Sequence, residues 1–345
     1  MTPKVVLVTG VSRFVGAHLA SRLAADPEID RVLGVDTLPP PRTLLRGMGR
    51  AEFVRADIRN PLIAKVIRGA EVDTVVHTSL SAHPAQSGGR VAMKEMNVIG
   101  SMQLLAACQR SPKVSRFVLK STTAVYGCSP RDPAVFTESM APKAMPSGGY
   151  AKDAAEIEGY VRGFGRCRPD VSVAVLRMAN FVGPRIETSL TKYFSLPIVP
   201  TVLGYDARMQ LLHSEDALAV LERACRSELS GVFNVGAQGV LLLSQAIRRA
   251  GRVELSVPGA LVGPVSQFFR GTRLLDFTPD QMRFLNFGRV VDTERLRNEF
   301  GFTPRWTTVQ AFDDFVQGRQ LRPVIPAARV RAVERGVLAA ARALR

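Results

Sequence analysis

Only four cysteines occur in 345 residues, Cys108, Cys128, Cys167 and Cys225, and no two of them form a Cys-x-x-Cys pair. A disulfide framework or a zinc ribbon is therefore not expected. The four histidines are equally scattered, with no pair at metal-ligand spacing, so no metal site is expected either. No run of 18 consecutive apolar residues occurs, which excludes a membrane-spanning helix of ordinary length. The opening "MTPKVVLVTG" runs straight into a strand pattern without the layout of a signal peptide, and a cytoplasmic chain is the expectation. Lysine is scarce, 8 against 38 arginines, and acidic residues are few enough to leave a net charge of +16. Such a charge raises the question of nucleic acid. GC-rich coding accounts for the arginine bias as well, no aromatic-rich basic motif accompanies it, and seven arginines against one glutamate lie between Gly318 and Arg345. Nucleic acid is not the expected partner.

What is present is an alternation of short apolar runs with helical segments, the pattern of βαβ units on a parallel sheet. Strands are expected at 4–10, 31–36, 51–57, 72–79, 116–122 and 171–180, with helices at 14–26, about 91–110 and about 149–166. Beyond Gly183-Pro184 the rhythm is irregular. The expected organisation is a nucleotide-binding domain over 1–184, a smaller mixed substrate-side lobe over 185–317 and a basic tail over 318–345. A contribution to the sheet is expected from about 205–240, where "GVFNVG" (231–236) reads as a strand. The apolar stretch 255–269, broken by Pro258, Gly259 and Pro264, reads as a buried helix of the second lobe in preference to a membrane contact. In the tail, Val330, Val333, Val337, Ala341 and Leu344 fall on one helical stripe flanked by arginines. Docking on the parent domain or a second subunit competes there with contact on an anionic membrane surface, the weaker reading.

The first of these units carries a phosphate-binding pattern. In "VTGVSRFVG", Gly10 ends a strand and Gly16 lies in the first turn of a helix. The first glycine permits the tight bend, the later one permits close helix–strand packing, and the helix N-terminus at Phe14 and Val15 offers free N–H groups to a pyrophosphate. Arg13 stands at the middle position, where glycine is usual; it either crowds the turn or lies along the phosphates. Asp36 ends the second strand, 20 residues after Gly16, where a carboxylate accepts hydrogen bonds from an adenosine ribose and repels a 2′-phosphate. Asp57 and Ile58 follow the third strand at a position suited to the adenine edge. NAD is favoured over NADP.

With "FVRADIRNP", "DTVVHTS", "MNVIGSMQLLAAC", "LKSTTAVYG", "KDAAEIEGY" and "LRMANFVGP" following in order, the sequence resembles the extended short-chain dehydrogenase/reductase family, the NAD-dependent epimerase/dehydratase proteins acting on nucleotide sugars. "LLHSEDALAVLERA", "GVFNVG" and "DTERLRNEFGFTPRW" carry the likeness to about residue 310, and the chain is most similar to actinobacterial proteins labelled UDP-glucose 4-epimerase. The resemblance implies an α/β fold, a Rossmann-type doubly wound parallel sheet with a smaller mixed α/β substrate lobe. It also implies a homodimer formed through the helices near 91–110 and 149–166. In this family a tyrosine takes a proton from a sugar hydroxyl, a lysine four residues on lowers its pKa and holds the nicotinamide ribose, and a serine or threonine hydrogen-bonds the same oxygen.

By resemblance Thr122 is that threonine, Lys152 that lysine with Glu156 following it, Asn97 a structural asparagine and Asn180 a substrate-facing one. The tyrosine departs from the pattern. Four residues before Lys152 stands Gly148, while Tyr150 is only two before it, about 200° round a helix. If Lys152 points into the site, Tyr150 points away; keeping Tyr150 puts Ala154 at the lysine position. Tyr150 on an irregular first turn, or Tyr126 beside Thr122, remain as replacement proton carriers. The arginine expected four residues before His213 is Met209, with Arg208 facing the other side of the strand and His213 reading as a packing residue. Two functions stay open: an NAD-dependent oxidoreductase or epimerase with an atypical active site, and a dinucleotide-binding redox sensor or assembly partner with little turnover.

Overall fold

A computed structural model describes residues 3–82, 88–141, 149–258 and 279–324. Six apolar runs form parallel strands β1 (Val5–Thr9), β2 (Arg31–Asp36), β3 (Glu52–Arg55), β4 (Thr74–His77), β5 (Arg116–Thr122) and β6 (Ser172–Met178). Between them run α1 (Phe14–Ala25), α2 (Arg42–Gly47), α3 (Ile63–Gly69), α4 (Arg90–Lys94), α5 (Gly100–Gln109) and α6 (Gly149–Cys167). The sheet order is β3-β2-β1-β4-β5-β6, and the strand Gly231–Val235 pairs parallel to β6 at the far edge. Both faces are covered, so β1 and β4 are buried almost throughout instead of alternating. Val6 and Val8 pack on the side of α1 and helix Ser214–Arg226, while Leu7 packs on the side of α3, α5 and α6. The strand order reverses between β1 and β4, and a crevice for ligands opens there beyond the strand C-termini.

Three sequence expectations change. The helix at 91–110 is interrupted by a π-helical turn, Glu95–Ile99. Asn97 on that turn is held by Ser81, whose N–H donates to Oδ1 at 2.8 Å, and its own Nδ2 donates to the Ser81 carbonyl at 3.0 Å. The strand at 171–180 ends at Met178 and resumes as Asn180–Val182, paired with Leu211–His213. The stretch 255–269 does not begin as a buried helix: its first residues belong to strand Val253–Val257, parallel to Ile198–Val202, with Leu255 exposed. Residues 259–269, the 329–345 stripe and Gly148 lie outside the described residues.

Helix α6 buries Ala154, Ile157, Glu158, Val161 and Phe164, spaced by threes and fours on one face. Glu158 shares that face with Asp153, which Arg90 pairs, and is itself met by Arg177 of β6, with Nε at 3.0 Å and Nη2 at 2.7 Å from Oε2. Arg177 donates also to the Tyr126 hydroxyl at 2.8 Å, and Tyr126 donates to Asn234 Oδ1 at 2.8 Å. One buried network thus joins α6, β6, the turn after β5 and the edge strand. Glu158→Ala leaves Arg177 buried without a counter-ion and is expected to cost about 3–5 kcal/mol of unfolding free energy. Denaturant titration checks this, with Glu158→Gln, which keeps hydrogen-bonding capacity, losing less.

Candidate functional site

The turn after β1 is sterically fixed. Gly10 has φ +80, and a Cβ there would stand 2.8 Å from Ser79 Cα; at Gly16 it would stand 2.4 Å from the Gly10 carbonyl oxygen. Arg13 between them is different. Its φ of −114 and ψ of 161 are extended backbone open to any residue, and it sits at the N-cap of α1. Phe14, Val15 and Gly16 follow as the first helical residues, whose N–H groups point out of the helix end. Asp36 closes the mouth from β2: its Oδ2 accepts from Ser12 N at 3.0 Å and Ser12 Oγ at 2.6 Å, and its Oδ1 from Thr37 N at 2.8 Å. Asp57 is clasped by Arg59, with Nη2 at 2.7 Å, and that hydrogen bond holds its carboxyl below the usual range. Ile58 is buried under Gly100, so only its backbone can face a ligand.

The register of α6 is the reverse of the one built on Lys152. Lys152 lies on the exposed face, and Glu156 is engaged by the Tyr160 hydroxyl at 3.1 Å. The stripe continues backward from Ala154 to the partly buried Tyr150, whose phenol lies beside Thr122 at the end of β5. Tyr150 thus begins the stripe that Ala154 and Glu158 continue at four-residue steps, and Ala154 stands one turn after it with no exposure. Thr122 Oγ1 already accepts from Ala124 N at 3.1 Å, leaving its proton for the phenol oxygen. Burial pushes Tyr150 up to about 12, while the Thr122 hydrogen bond and the charge of Arg13 oppose that rise. Tyr126 is unsuited to carry protons to a ligand. It is 1% exposed, stacked on Phe136 at 4.7 Å and engaged by Arg177 and Asn234.

Sequence reasoning missed Lys120. It lies on β5 two residues before Thr122, on the same side of the strand, with 9% exposure. Burial pulls its pKa down to about 8, and Arg13 adds to the effect. Its Nζ lies 5.4 Å from the Phe181 ring centroid, a cation–π contact. The signal was a lysine inside "RFVLKST", a run otherwise reading as a buried strand. Among the described residues neither the Lys120 ammonium nor the Arg13 guanidinium has a hydrogen bond or ion pair. His77 nearby is neutral: burial takes its pKa to about 3, and Thr9 at 2.8 Å and Ser101 at 2.7 Å hold its ring nitrogens.

Residues 6–236 match the NAD dependent epimerase/dehydratase family. The chain belongs to that family. An uncharacterized protein of Mycobacterium tuberculosis (Rv0501) is 54% identical over 332 residues, 96% of this chain and 88% of its own length. Among solved structures, the chain is similar to a dTDP-glucose 4,6-dehydratase from Bacillus anthracis in complex with NAD. There the TM-score is 0.71 at 19% identity, over 92% of this chain and 96% of that one. A UDP-glucose 4-epimerase from Thermotoga maritima with UDP-glucose gives a TM-score of 0.71 at 19% identity, over 92% and 98%. At such identity these two structures speak for the fold alone.

On the side away from the glycine turn, this epimerase/dehydratase-family chain has an apolar floor. Met209 is fully buried and Arg208 exposed, so no arginine occupies the expected clamp position. His213 stacks on Trp306 at 4.5 Å and pairs with Asp314 at 3.0 Å, a packing role. Asn180 begins the short strand after β6 and is partly exposed. Among the described residues no cluster of His, Cys, Asp or Glu could hold a metal ion, and no helix is long and apolar enough to cross a membrane.

Lys120 makes the site costly to fold. Its folded pKa near 8 lies below the 10.5 of an exposed lysine. The unfolded chain therefore binds more protons between those values, and stability rises with pH across that window. Lys120→Met is expected to raise the unfolding free energy at pH 7 by roughly 3 kcal/mol. The gain should shrink above pH 8 and vanish near 10.5, as measured by denaturant unfolding at stepped pH.

Proposed function

We propose that this chain is an NAD-dependent oxidoreductase of the epimerase/dehydratase type, acting on a nucleotide sugar or a related hydroxyl compound, with Tyr150 as its proton carrier. The observation that carries the reading is the packing of Tyr150, first on the inward face of α6, beside Thr122 at the C-terminal end of β5. A phenol and a threonine hydroxyl side by side at a strand end are the parts needed to move a proton from an alcohol oxygen. The residues present fit a dinucleotide. Arg13 stands at the N-terminus of α1 and Lys120 on β5 is near enough to feel its charge, and neither makes an ion pair among the described residues, an arrangement suited to a diphosphate. Asp36 offers its remaining lone pairs to ribose hydroxyls and disfavours a 2′-phosphate.

NAD, when bound, supplies the hydride acceptor and donor. The chain's own residues do the rest. Tyr150, in its phenolate form, would accept the proton of the substrate hydroxyl. Thr122 steadies the phenolate, and Phe14 and Val15 offer backbone N–H groups to the diphosphate. Lys152 has no part in this scheme. Nucleotide sugars enter the proposal because the similar Thermotoga maritima structure holds UDP-glucose.

A second reading is favoured by Ala154 and Met209, which stand where a lysine and an arginine would serve turnover and substrate clamping: a dinucleotide-binding sensor or assembly partner. Calorimetric titration with NAD and NADP, followed by absorbance at the nicotinamide band on adding UDP-glucose and other sugar nucleotides, separates the two. The expected result is tighter binding of NAD, reduction by at least one sugar nucleotide, and a loss of at least 100-fold in that rate in Tyr150→Phe with NAD affinity little changed. Tight NAD binding with no reduction by any of the panel would leave the sensor reading.

We also propose a homodimer. Val91, Ile99, Met102 and Tyr160 are large, exposed apolar side chains on α4, the π turn, α5 and α6, and α5 packs beside α6. Exposed apolar surface concentrated on adjacent elements is the usual mark of an interface. Sedimentation velocity is expected to show a dimer for the native chain and a monomer for Ile99→Asp/Met102→Glu.

A further inference from the structure

Two strands outside the main sheet, Ile198–Val202 and Val253–Val257, run parallel, with Val253 opposite Ile198, Leu255 opposite Pro200 and Val257 opposite Val202. Residues opposite one another share a face, and successive residues alternate between faces. The inner face carries Val199 and Thr201, both buried, with Val199 in the cluster that includes Phe194 and Phe312. The outer face carries Ile198, Pro200, Val202, Val253, Leu255 and Val257, six apolar residues, and Ile198 and Leu255 there are each 47% exposed. A strand with one face in water ordinarily turns polar residues outward. This pair is apolar outward as well, and an apolar sheet face calls for a second layer.

The last described residues run beside that face. After helix Thr308–Gly318 the backbone bends at Gln320, with φ +52. Val324 N–H then donates to the Gly251 carbonyl at 2.9 Å, and Arg252 Nη1 donates to the Arg322 carbonyl at 3.3 Å. Gly251 and Arg252 lead directly into Val253, and a Cβ on Gly251 would stand 2.7 Å from Pro323 Cα. A groove of about 410 Å³ lined by Thr191, Ser195, Leu196, Pro197 and Arg319 leads up to Ile198 from the same end.

Residues 325–345 follow Val324, and within them Val330, Val333, Val337, Ala341 and Leu344 fall on one helical stripe flanked by arginines. As a helix, 329–345 would extend about 25 Å, against about 17 Å for a five-residue strand. Only Ile325–Ala328 separate Val324 from the stripe, a tether of about 13 Å at full extension. A tether so short, starting at the edge of the face, gives an effective concentration on the order of millimolar. A second copy or a lipid surface would have to compete with that from bulk solution.

We propose that the outer face of Ile198–Val202 and Val253–Val257 is the docking surface of this chain's own residues 329–345, whose Val/Ala/Leu stripe covers it while the arginines face solvent. The surface is separate from the glycine turn, and the inference stands apart from the reading of Tyr150.

The test is a photo-crosslink within the full chain. Benzoylphenylalanine replaces Leu255, and in a second protein Ile198. After irradiation, material of monomer mass on a denaturing gel is digested and read by mass spectrometry. Adducts from both positions to residues 329–345 are expected, and they should disappear in Val333→Asp/Val337→Asp. In a chain stopped after Val324, the backbone amides of 253–257 are expected to exchange with deuterium about tenfold faster or more. Leu255→Asp in the full chain should reproduce that change. Adducts to 259–278 alone, adducts to the tail only at dimer mass, or adducts to phosphatidylglycerol vesicles with none to the tail would each overturn the inference. Equal exchange in the full and shortened chains would do the same.

Discussion

The site depends on a buried ion pair that lies outside it. Glu158 of α6 meets Arg177 of β6 two turns beyond Tyr150, and Ser121 Oγ donates to the same carboxylate. Such a pair adds little net stability, because desolvation offsets most of its attraction. It does discriminate. A rotation of α6 that placed Lys152 over the sheet would carry Glu158 away from Arg177 and leave both charges buried without partners. The register that satisfies the pair is the one that delivers Tyr150 to Thr122. The position of Tyr150 at the strand end is thus specified by a charge match two turns away.

The fold was legible in the sequence for reasons that belong to parallel sheets. Strands buried on both faces must be apolar runs, and β1, β2 and β5 stand out from their surroundings on that ground. Gly10 and Gly16 were legible because backbone geometry and close packing leave no alternative to glycine there. The active helix was harder to read. One residue type, a lysine followed by "DAAE", was set against periodicity, and periodicity is the better guide. Positions 154, 157, 158, 161 and 164 form a stripe by spacing alone, and Lys152 and Glu156 fall off it. Glu158 disguised the stripe, because an acidic residue at an inward position reads as a break until its partner on β6 is known. Lys120 was hidden for the opposite reason. It sits within a strand so apolar that the lysine passes for an edge residue.

Arg13 shows where the family's glycine turn can change. Of its three glycine positions, the first needs positive φ and the last admits no Cβ, while the middle one is an extended N-cap. Change is therefore confined to the middle. A residue placed there stands at the N-terminus of α1, where an arginine's fork of donors suits the diphosphate proposed for that turn.

Lys120 and Arg13 together place two positive charges in a dry part of the molecule, beside a histidine that burial keeps neutral. Burial depresses both, Arg13 adds to the effect on Lys120, and folding bears the cost. An anion between them would offset their repulsion, so the groups that weaken the empty protein would favour the diphosphate proposed above. Proton linkage follows from the same geometry. An anion beside Lys120 raises its pKa from about 8 toward the ordinary lysine value, so binding above that pH draws a proton from solvent. A site tuned only for stability would place methionine or leucine at position 120. A lysine kept there despite that cost accords with the anion-binding role proposed for it.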